Sequence, residues 1–247
     1  GAIDTREAPY GVLIGSKFAY ASAQQADRVQ VFDKYNYTLL AEVAVTGYPR
    51  GMALSDDGRW LYVSHFDSGI ISKIETSTFT VVTEISLGSR AGLVQSITLD
   101  SAAQLAYVPN TIRNTDNTSL EFDTSVFPFV SVIDLKEDLH LRSQRLALDI
   151  IDKPVGLPLE SLLSGEDLYV VNAASNDLSV INVANSQLRA HIEVGGFPVG
   201  IAQSLDDRFI YIDNVVDGSV SVIDAESLNE ISRSVVTQLP FDDKVKQ

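Results

Sequence analysis

The chain of 247 residues has no cysteine, one methionine, one tryptophan and three histidines. Without cysteine it can form no disulfide, no thiolate metal site and no covalent haem attachment through a Cys-x-x-Cys-His motif. It also has no run of about 18 apolar residues, so the sequence predicts no membrane-spanning helix. Helical periodicity of useful length is missing as well, which favours a fold built without helices.

Positive charge and catalytic signatures are also scarce. With 18 Lys and Arg against 33 Asp and Glu, the formal net charge is −15. A surface of that sign repels a phosphate backbone, so we expect no nucleic-acid partner in the absence of a local basic face. The sequence contains no Ser-His-Asp pattern, phosphate-binding loop or nucleotide fingerprint. We therefore predict no catalytic residues and expect that this chain alone is not an enzyme.

What the sequence does contain is a repeat. Tyrosines recur at intervals of 42, 45, 62 and 42 residues, as Tyr20, Tyr62, Tyr107, Tyr169 and Tyr211. Each tyrosine lies in a short strand pattern, and a second strand pattern follows that closes on a carboxylate or an amide, as in Val130-Ser-Val-Ile-Asp134. A Pro-x-Gly motif precedes the first strand of four repeats, at Pro9/Gly11, Pro49/Gly51, Pro154/Gly156 and Pro198/Gly200. Two landmarks with one period indicate a repeated structural unit.

A period near 42 residues with four short strands is typical of one blade of a β-propeller. We predict one all-β domain over 1–247, a β-propeller of five four-stranded antiparallel blades. The repeats span about 9–48, 49–90, 91–153, 154–197 and 198–239. The ring either closes with five blades or is an incomplete part of a seven-blade ring. We expect the first strand of each blade to line the central channel and the repeated tyrosines to be buried between blades.

Several segments resemble the repeat of the YVTN propeller family. They are Tyr62-Val-Ser-His65, Tyr107-Val-Pro-Asn110, Tyr169-Val-Val-Asn172 and the turn Ser55-Asp-Asp-Gly58. The third repeat and Val235-Val-Thr-Gln-Leu-Pro240 look like YVTN propellers attached to di-haem cytochrome c peroxidase-like modules. This resemblance implies a periplasmic or extracellular protein, with any haem in a missing domain. Because the chain starts at Gly1 and its only methionine is Met52, we expect that a natural start was removed by signal-peptide cleavage, by other proteolysis or by design. The resemblance favours export.

The third repeat carries an inserted loop, residues 111–129, in the connection between its second and third strands. Long loops in compact domains are usually functional or disordered. This one concentrates oxygen ligands of the kind that calcium prefers: Asp116, Asn117, Glu121 and Asp123. Their spacing does not fit an EF-hand, and ordinary turn residues would have the same composition. A calcium-like site and a solvated turn both stay open.

A binding face is predicted at one end of the propeller. Arg50, Arg90 and Lys153 fall in connections that lead into first strands, and these share an end with the loops that carry His65 and Phe127. Positive charge there would suit an anionic ligand or an acidic patch on a partner. His65 takes the position of Asn110, Asn172 and Asn214 in other repeats, so it either caps the turn or acts in a site.

The sequence leaves two functions open. The first is a non-catalytic binding or scaffold propeller that docks a partner protein or a cytochrome-like redox domain. The alternative is a lactonase-like hydrolase that uses the channel mouth with a divalent metal. Such an enzyme needs several carboxylates or histidines that converge on the channel. The predicted inner strands offer almost none apart from Glu160, so the binding function is preferred.

Overall fold

The computed structural model of the chain describes residues 5–114 and 126–236. These residues form five antiparallel sheets, each from a continuous part of the sequence, and the sheets are the predicted blades 1 to 5. The first strands of successive blades contact one another in order. This arrangement is a β-propeller, and the predicted fold class is confirmed. Within residues 5–114 and 126–236 there is one α-helix, α1 (Leu148–Ile151), of four residues.

Four of the blades are simple four-stranded meanders. Blade 1 consists of β1 (Pro9–Ile14), β2 (Phe18–Ala23), β3 (Arg28–Asp33) and β4 (Leu39–Ala44). Blade 2 consists of β5 (Pro49–Leu54), β6 (Trp60–His65), β7 (Ile70–Glu75) and β8 (Thr80–Ser86). Blade 4 consists of β15 (Pro158–Ser164), β16 (Asp167–Asn172), β17 (Asp177–Asn182) and β18 (Gln187–Glu193). Blade 5 consists of β19 (Pro198–Gln203), β20 (Phe209–Asn214), β21 (Ser219–Asp224) and β22 (Asn229–Val235).

Blade 3 departs from this pattern in its middle and outer strands. Its main path is β10 (Thr98–Asp100), β11 (Leu105–Arg113), β12 (Val126–Asp134) and β13 (Leu139–His140). Two short strands add to it: β9 (Ala91–Gly92) pairs with β11, and β14 (Leu146–Ala147) pairs with β12. The predicted insertion therefore begins as a continuation of the hairpin, with Arg113 paired to Val126.

The repeated tyrosines hold the blades together. Each of the first four packs against the following blade in a hydrophobic cluster, and each is 1–4% exposed. Burying such a large side chain removes much apolar surface from water. Tyr211 of blade 5 is 38% exposed. Within residues 5–114 and 126–236, no hydrophobic cluster joins blade 5 to blade 1, so the outer face of blade 5 lacks the cover that the other blades have.

The glycine of the Pro-x-Gly motif permits close approach of first strands around the channel. A Cβ on Gly51 would overlap the carbonyl oxygen of Gln95 in blade 3, and one on Gly11 would lie 2.8 Å from the carbonyl oxygen of Arg50. Blade 4 differs from the sequence prediction. Pro158, not Pro154, pairs with the end of the second strand as Pro198 does in blade 5.

Glu160 therefore occupies the glycine position of blade 4, since it is two residues after Pro158 as Gly200 is two residues after Pro198. Lys153-Pro-Val-Gly156 has the motif's letters but precedes β15. The sequence motif is present in Pro154-Val-Gly156, but the pairing of the strands decides which proline and which following residue lie at the channel.

Candidate functional site: an arginine-lined cleft beside the long hairpin

A cleft of about 470 Å³ lies between blades 2 and 3, at the end of the propeller that carries the hairpin loops. Its apolar residues come from the turn after β8 and from the extended part of the β11–β12 hairpin: Leu87, Ala91, Ile112, Phe127 and Phe129. Its basic residues come from the same turn and from the interrupted outer strand of blade 3: Arg90, His140, Arg142 and Arg145. Gly88 and Ser89 complete the lining.

Local structure explains why these residues meet. The outer strand of blade 3 breaks after His140 into a short 3₁₀ turn, Arg142–Gln144, before β14 resumes pairing with β12. The break brings the Arg145 guanidinium over the ring of Phe129, 4.5 Å from its centroid. On the opposite wall Gly88 has φ +112°, a left-handed conformation that favours glycine. A Cβ there would lie 3.9 Å from the Arg142 guanidinium, so the turn and the arginine are close neighbours.

The electrostatics of the cleft oppose those of the whole protein. No carboxylate belongs to its lining in the described part of the chain, although the net charge is −15. Both ring nitrogens of His140 are buried and, among the described residues, have no hydrogen-bond partner. Burial, helped by Arg142 and Arg145, lowers the pKa of His140, so its ring is neutral at physiological pH. The positive charge of the cleft therefore comes from its arginines.

Only two of the five predicted binding-face residues lie in this cleft, Arg90 and Phe127. The Arg50 guanidinium is stacked near the channel, 4.7 Å from the ring centroid of Tyr10 and 3.5 Å from that of Phe66. Its Nε also donates a hydrogen bond to Gln24. Lys153 is exposed and lines a separate pocket beside His191. The predicted cations share an end of the molecule but not a single site.

His65, the fifth predicted residue, is fully buried at the end of β6. Its Nε2 is 2.8 Å from the Ser72 hydroxyl on β7. The corresponding asparagines bond to the serines of their own third strands in the same way, as Asn172 does to Ser179 at 2.9 Å. Burial lowers the pKa of His65 to about 4, so the ring stays neutral. These contacts favour a structural capping role for His65.

The metal-ligand prediction falls outside the described residues, because Asp116, Asn117, Glu121 and Asp123 all lie within 115–125. It stays a prediction. Across residues 5–114 and 126–236, no group of three or more histidines and carboxylates could hold a metal ion. Among the same residues, no helix is long and apolar enough to cross a membrane.

Glu160 is the carboxylate that the sequence offered near the channel. The structure places it at the channel end of β15, partly buried, and burial raises its pKa to about 8. The Tyr10 hydroxyl bonds to Gln95 nearby, and Ser96 donates a hydrogen bond to the Leu159 carbonyl at 3.0 Å. Blades 1, 3 and 4 thus contribute polar groups to one small region.

Sequence reasoning missed the three basic residues of blade 3 that complete the cleft. His140, Arg142 and Arg145 lie in a repeat whose fourth strand is poorly formed, and no motif marks them. A signal was present, however. The segment Leu139-His-Leu-Arg-Ser-Gln-Arg145 concentrates three basic side chains in an acidic chain, opposite the long insertion.

Comparisons with known proteins place this architecture among propellers. No protein-family profile matches the sequence. Antigen Lp49 of Leptospira interrogans (serogroup Icterohaemorrhagiae serovar copenhageni, strain Fiocruz L1-130) is 23% identical over 222 residues, 82% of this chain and 44% of the antigen. The chain thus spans less than half the length of this relative.

Three solved structures are similar in fold. Hydrazine synthase of Kuenenia stuttgartiensis aligns with a TM-score of 0.62 and 16% identity over 91% of this chain and 85% of that chain. A chain of a nidogen/laminin complex aligns with a TM-score of 0.68 and 15% identity over 92% of this chain and 80% of that chain. A functionally unknown protein from Desulfotomaculum acetoxidans DSM 771 aligns with a TM-score of 0.66 and 12% identity over 95% of this chain and 70% of that chain. The likeness is one of fold alone. A propeller fold hosts many functions, so the function is argued from the cleft.

Proposed function

We propose that this chain is a binding propeller without catalytic activity of its own, and that it docks a partner protein at the end that carries the β11–β12 hairpin. The cleft is the observation that carries this proposal. It joins three arginines to an aromatic floor and has no carboxylate among its described lining residues. Arginine and aromatic side chains are enriched at protein interfaces and supply much of their binding energy.

Exposed apolar side chains surround the same end of the molecule. Val126, which pairs with Arg113 at the loop end of the hairpin, is 52% exposed, and Tyr48 and Phe197, which precede the first strands of blades 2 and 5, are 45% and 38% exposed. In an antiparallel blade, the connections before the first strand and after the second strand lie at one end. A partner that covers this end would bury these side chains around the cleft.

The proposed location is periplasmic or extracellular. The YVTN resemblance implies export, and the Leptospira relative is named an antigen. A cytochrome-like redox domain is one partner that the same resemblance implies, and haem would then belong to that partner. The nidogen/laminin neighbour supports a binding role, because it was solved as a complex of proteins with a propeller of this kind.

Site-specific photo-crosslinking tests which end docks. A photoreactive amino acid at position 126 is compared with one at position 35, because Tyr35 is 77% exposed in the turn at the opposite end. Both tagged proteins are irradiated in the exported fraction of the source cells, and the partner captured by the crosslink is identified. The partner is then purified separately, and the affinity of the chain for it is measured by calorimetry. We expect a specific adduct at position 126 only, and loss of affinity when 115–125 is replaced by a short Gly-Ser linker.

Two kinds of result would overturn the docking proposal. One is equal crosslinking at both positions, or none at position 126. The other is turnover of a lactone or a small ester by the purified chain, with the linker variant as active as the original. Folding of each variant is checked by its thermal unfolding midpoint.

A further inference from the structure

We propose that the cleft binds an acidic peptide segment of the partner, with a carboxylate side chain between Arg142 and Arg145 and a neighbouring apolar side chain against Phe127. This inference rests on the proposed function and names the chemistry that the docking end recognises. A volume of about 470 Å³ lies within the range of roughly 300–1,000 Å³ found for ligand sites. It has room for a few side chains, not for a folded domain.

Charge and geometry favour a carboxylate. A guanidinium presents two parallel N–H groups that match the two oxygens of a carboxylate. Arg145 is already held over the ring of Phe129 at 4.5 Å, so it loses less freedom when a ligand binds than an unsupported arginine would. Among the described residues that line the cleft there is no carboxylate, so its described lining matches the charge of an acidic side chain.

Neighbouring features favour a peptide over a phosphorylated ligand or a nucleic acid. Half of the lining is apolar, with Phe127 and Phe129 beside the arginines, and an isolated phosphate would leave that surface unused. A polyanion would also be repelled by the surrounding protein, whose net charge is −15. A short segment with one or two carboxylates next to an aromatic or aliphatic side chain uses both halves of the cleft. Among the described residues, the two buried ring nitrogens of His140 have no hydrogen-bond partner, so a polar group of a bound peptide would satisfy one of them.

Fluorescence anisotropy tests this recognition directly. The probes are four labelled heptapeptides that combine Glu or Asp with Phe or Leu in different orders, each with a twin in which Gln or Asn replaces the acid. We expect at least one acidic probe to bind, and its amide twin to bind at least about 10-fold more weakly, as a lost charge-assisted hydrogen bond implies. Inorganic phosphate at the same concentration should not displace the probe.

A charge-reversed cleft supplies the protein control. R142E/R145E should weaken the acidic probe by about 10-fold or more, while R208E should leave it unchanged. Arg208 is a matched control because it also lies over a phenylalanine ring, at 5.2 Å from the Phe209 centroid, but lines a pocket rich in carboxylates in blade 5. Arg142 and Arg145 are exposed, so the double variant should keep its thermal midpoint.

The outcomes separate this inference from the docking proposal. If no acidic probe binds, if the amide twins bind equally, or if R142E/R145E binds as well as the original, the acidic-peptide inference is wrong. Displacement by phosphate at matched concentration would also refute it and identify a phosphate site. If the crosslink at position 126 survives R142E/R145E, the docking proposal stands without it. If that crosslink is absent in the unaltered protein, the docking proposal falls first.

Discussion

Replacement of Glu160 by Gln should make the protein more stable at alkaline pH and leave it unchanged in acid. The carboxyl lies near the start of β15, the first strand of blade 4, where burial raises its pKa to about 8 from an ordinary value of 4.5. Between these two values the unfolded chain carries an ionised Glu160, while the folded chain holds the proton. Stability therefore falls as the pH rises through this window.

The size of the effect follows from the shift. One pKa unit corresponds to about 1.36 kcal/mol, so a shift from 4.5 to about 8 costs at most about 5 kcal/mol once the pH reaches 8. Below pH 4.5 both states are protonated and the cost vanishes. Glutamine has nearly the same shape and no proton to lose, so it removes the cost. A domain is commonly stable by only about 5–15 kcal/mol, so the difference should be easy to measure.

Urea denaturation at several pH values between 4.5 and 9 measures this difference. The free energy of unfolding of Glu160→Gln minus that of the original chain should be near zero at pH 4.5 and rise to several kcal/mol by pH 8. Glu166→Gln, at an exposed position in the next turn of the same blade, is the matched control and should show no such rise. A Glu160→Gln difference that is the same at pH 5 and pH 8 would show that the carboxyl ionises normally and is not buried.

Three further substitutions test the packing. Tyr169→Ala should cost about 3 kcal/mol or more in denaturant titration, and Tyr211→Ala about half of that or less, because Tyr169 is 1% and Tyr211 38% exposed; equal costs would mean that Tyr211 is covered. His65→Asn should reduce the loss of stability between pH 6.5 and 4 by up to about 3 kcal/mol. Burial holds the pKa of the folded ring at about 4, so in this range the unfolded chain binds a proton that the folded chain does not, and stability falls as the pH falls. An unchanged pH dependence of stability in acid would contradict this. Gly51→Ala should cost about 1–3 kcal/mol through overlap with Gln95, and Gly200→Ala less, because its nearest neighbour is Asp213 Cβ at 3.4 Å.

The blades could be predicted from the sequence because their determinants are local and repeated. A tyrosine recurs in the second strand of every blade and a serine in the third strand of blades 2 to 5, and each has the same structural role in most of these blades. Tyr62 and Tyr169 fill the space against the following blade, and Ser72 and Ser179 bond to the residue that ends the second strand. Repetition makes such signals visible even in a single sequence.

The same repeat could not show which positions break the rule. Pro154-Val-Gly156 matches the motif letter for letter, yet Pro158 takes the structural position and brings Glu160 to the channel. Tyr211 has the same sequence context as Tyr169 but lacks the same cover. In both cases the position and burial of the residue depend on the neighbouring blade and not on the local sequence, so the pattern of a single repeat does not predict them.

The cleft shows most clearly why the candidate site was harder to predict than the fold. Its residues come from the turn after β8, from both strands of an extended hairpin and from a broken outer strand, and none of these follows the repeat. Arg90 and Phe127 were identified because each stands in a connection at the predicted binding end. Arg142 and Arg145 were not predicted because their place in the cleft depends on the break in the outer strand, which sequence patterns do not report. The first four blades each pack against the next blade in the same way, so the repeat explains their shared residues. The residues that we propose for partner binding are those that depart from this repeat.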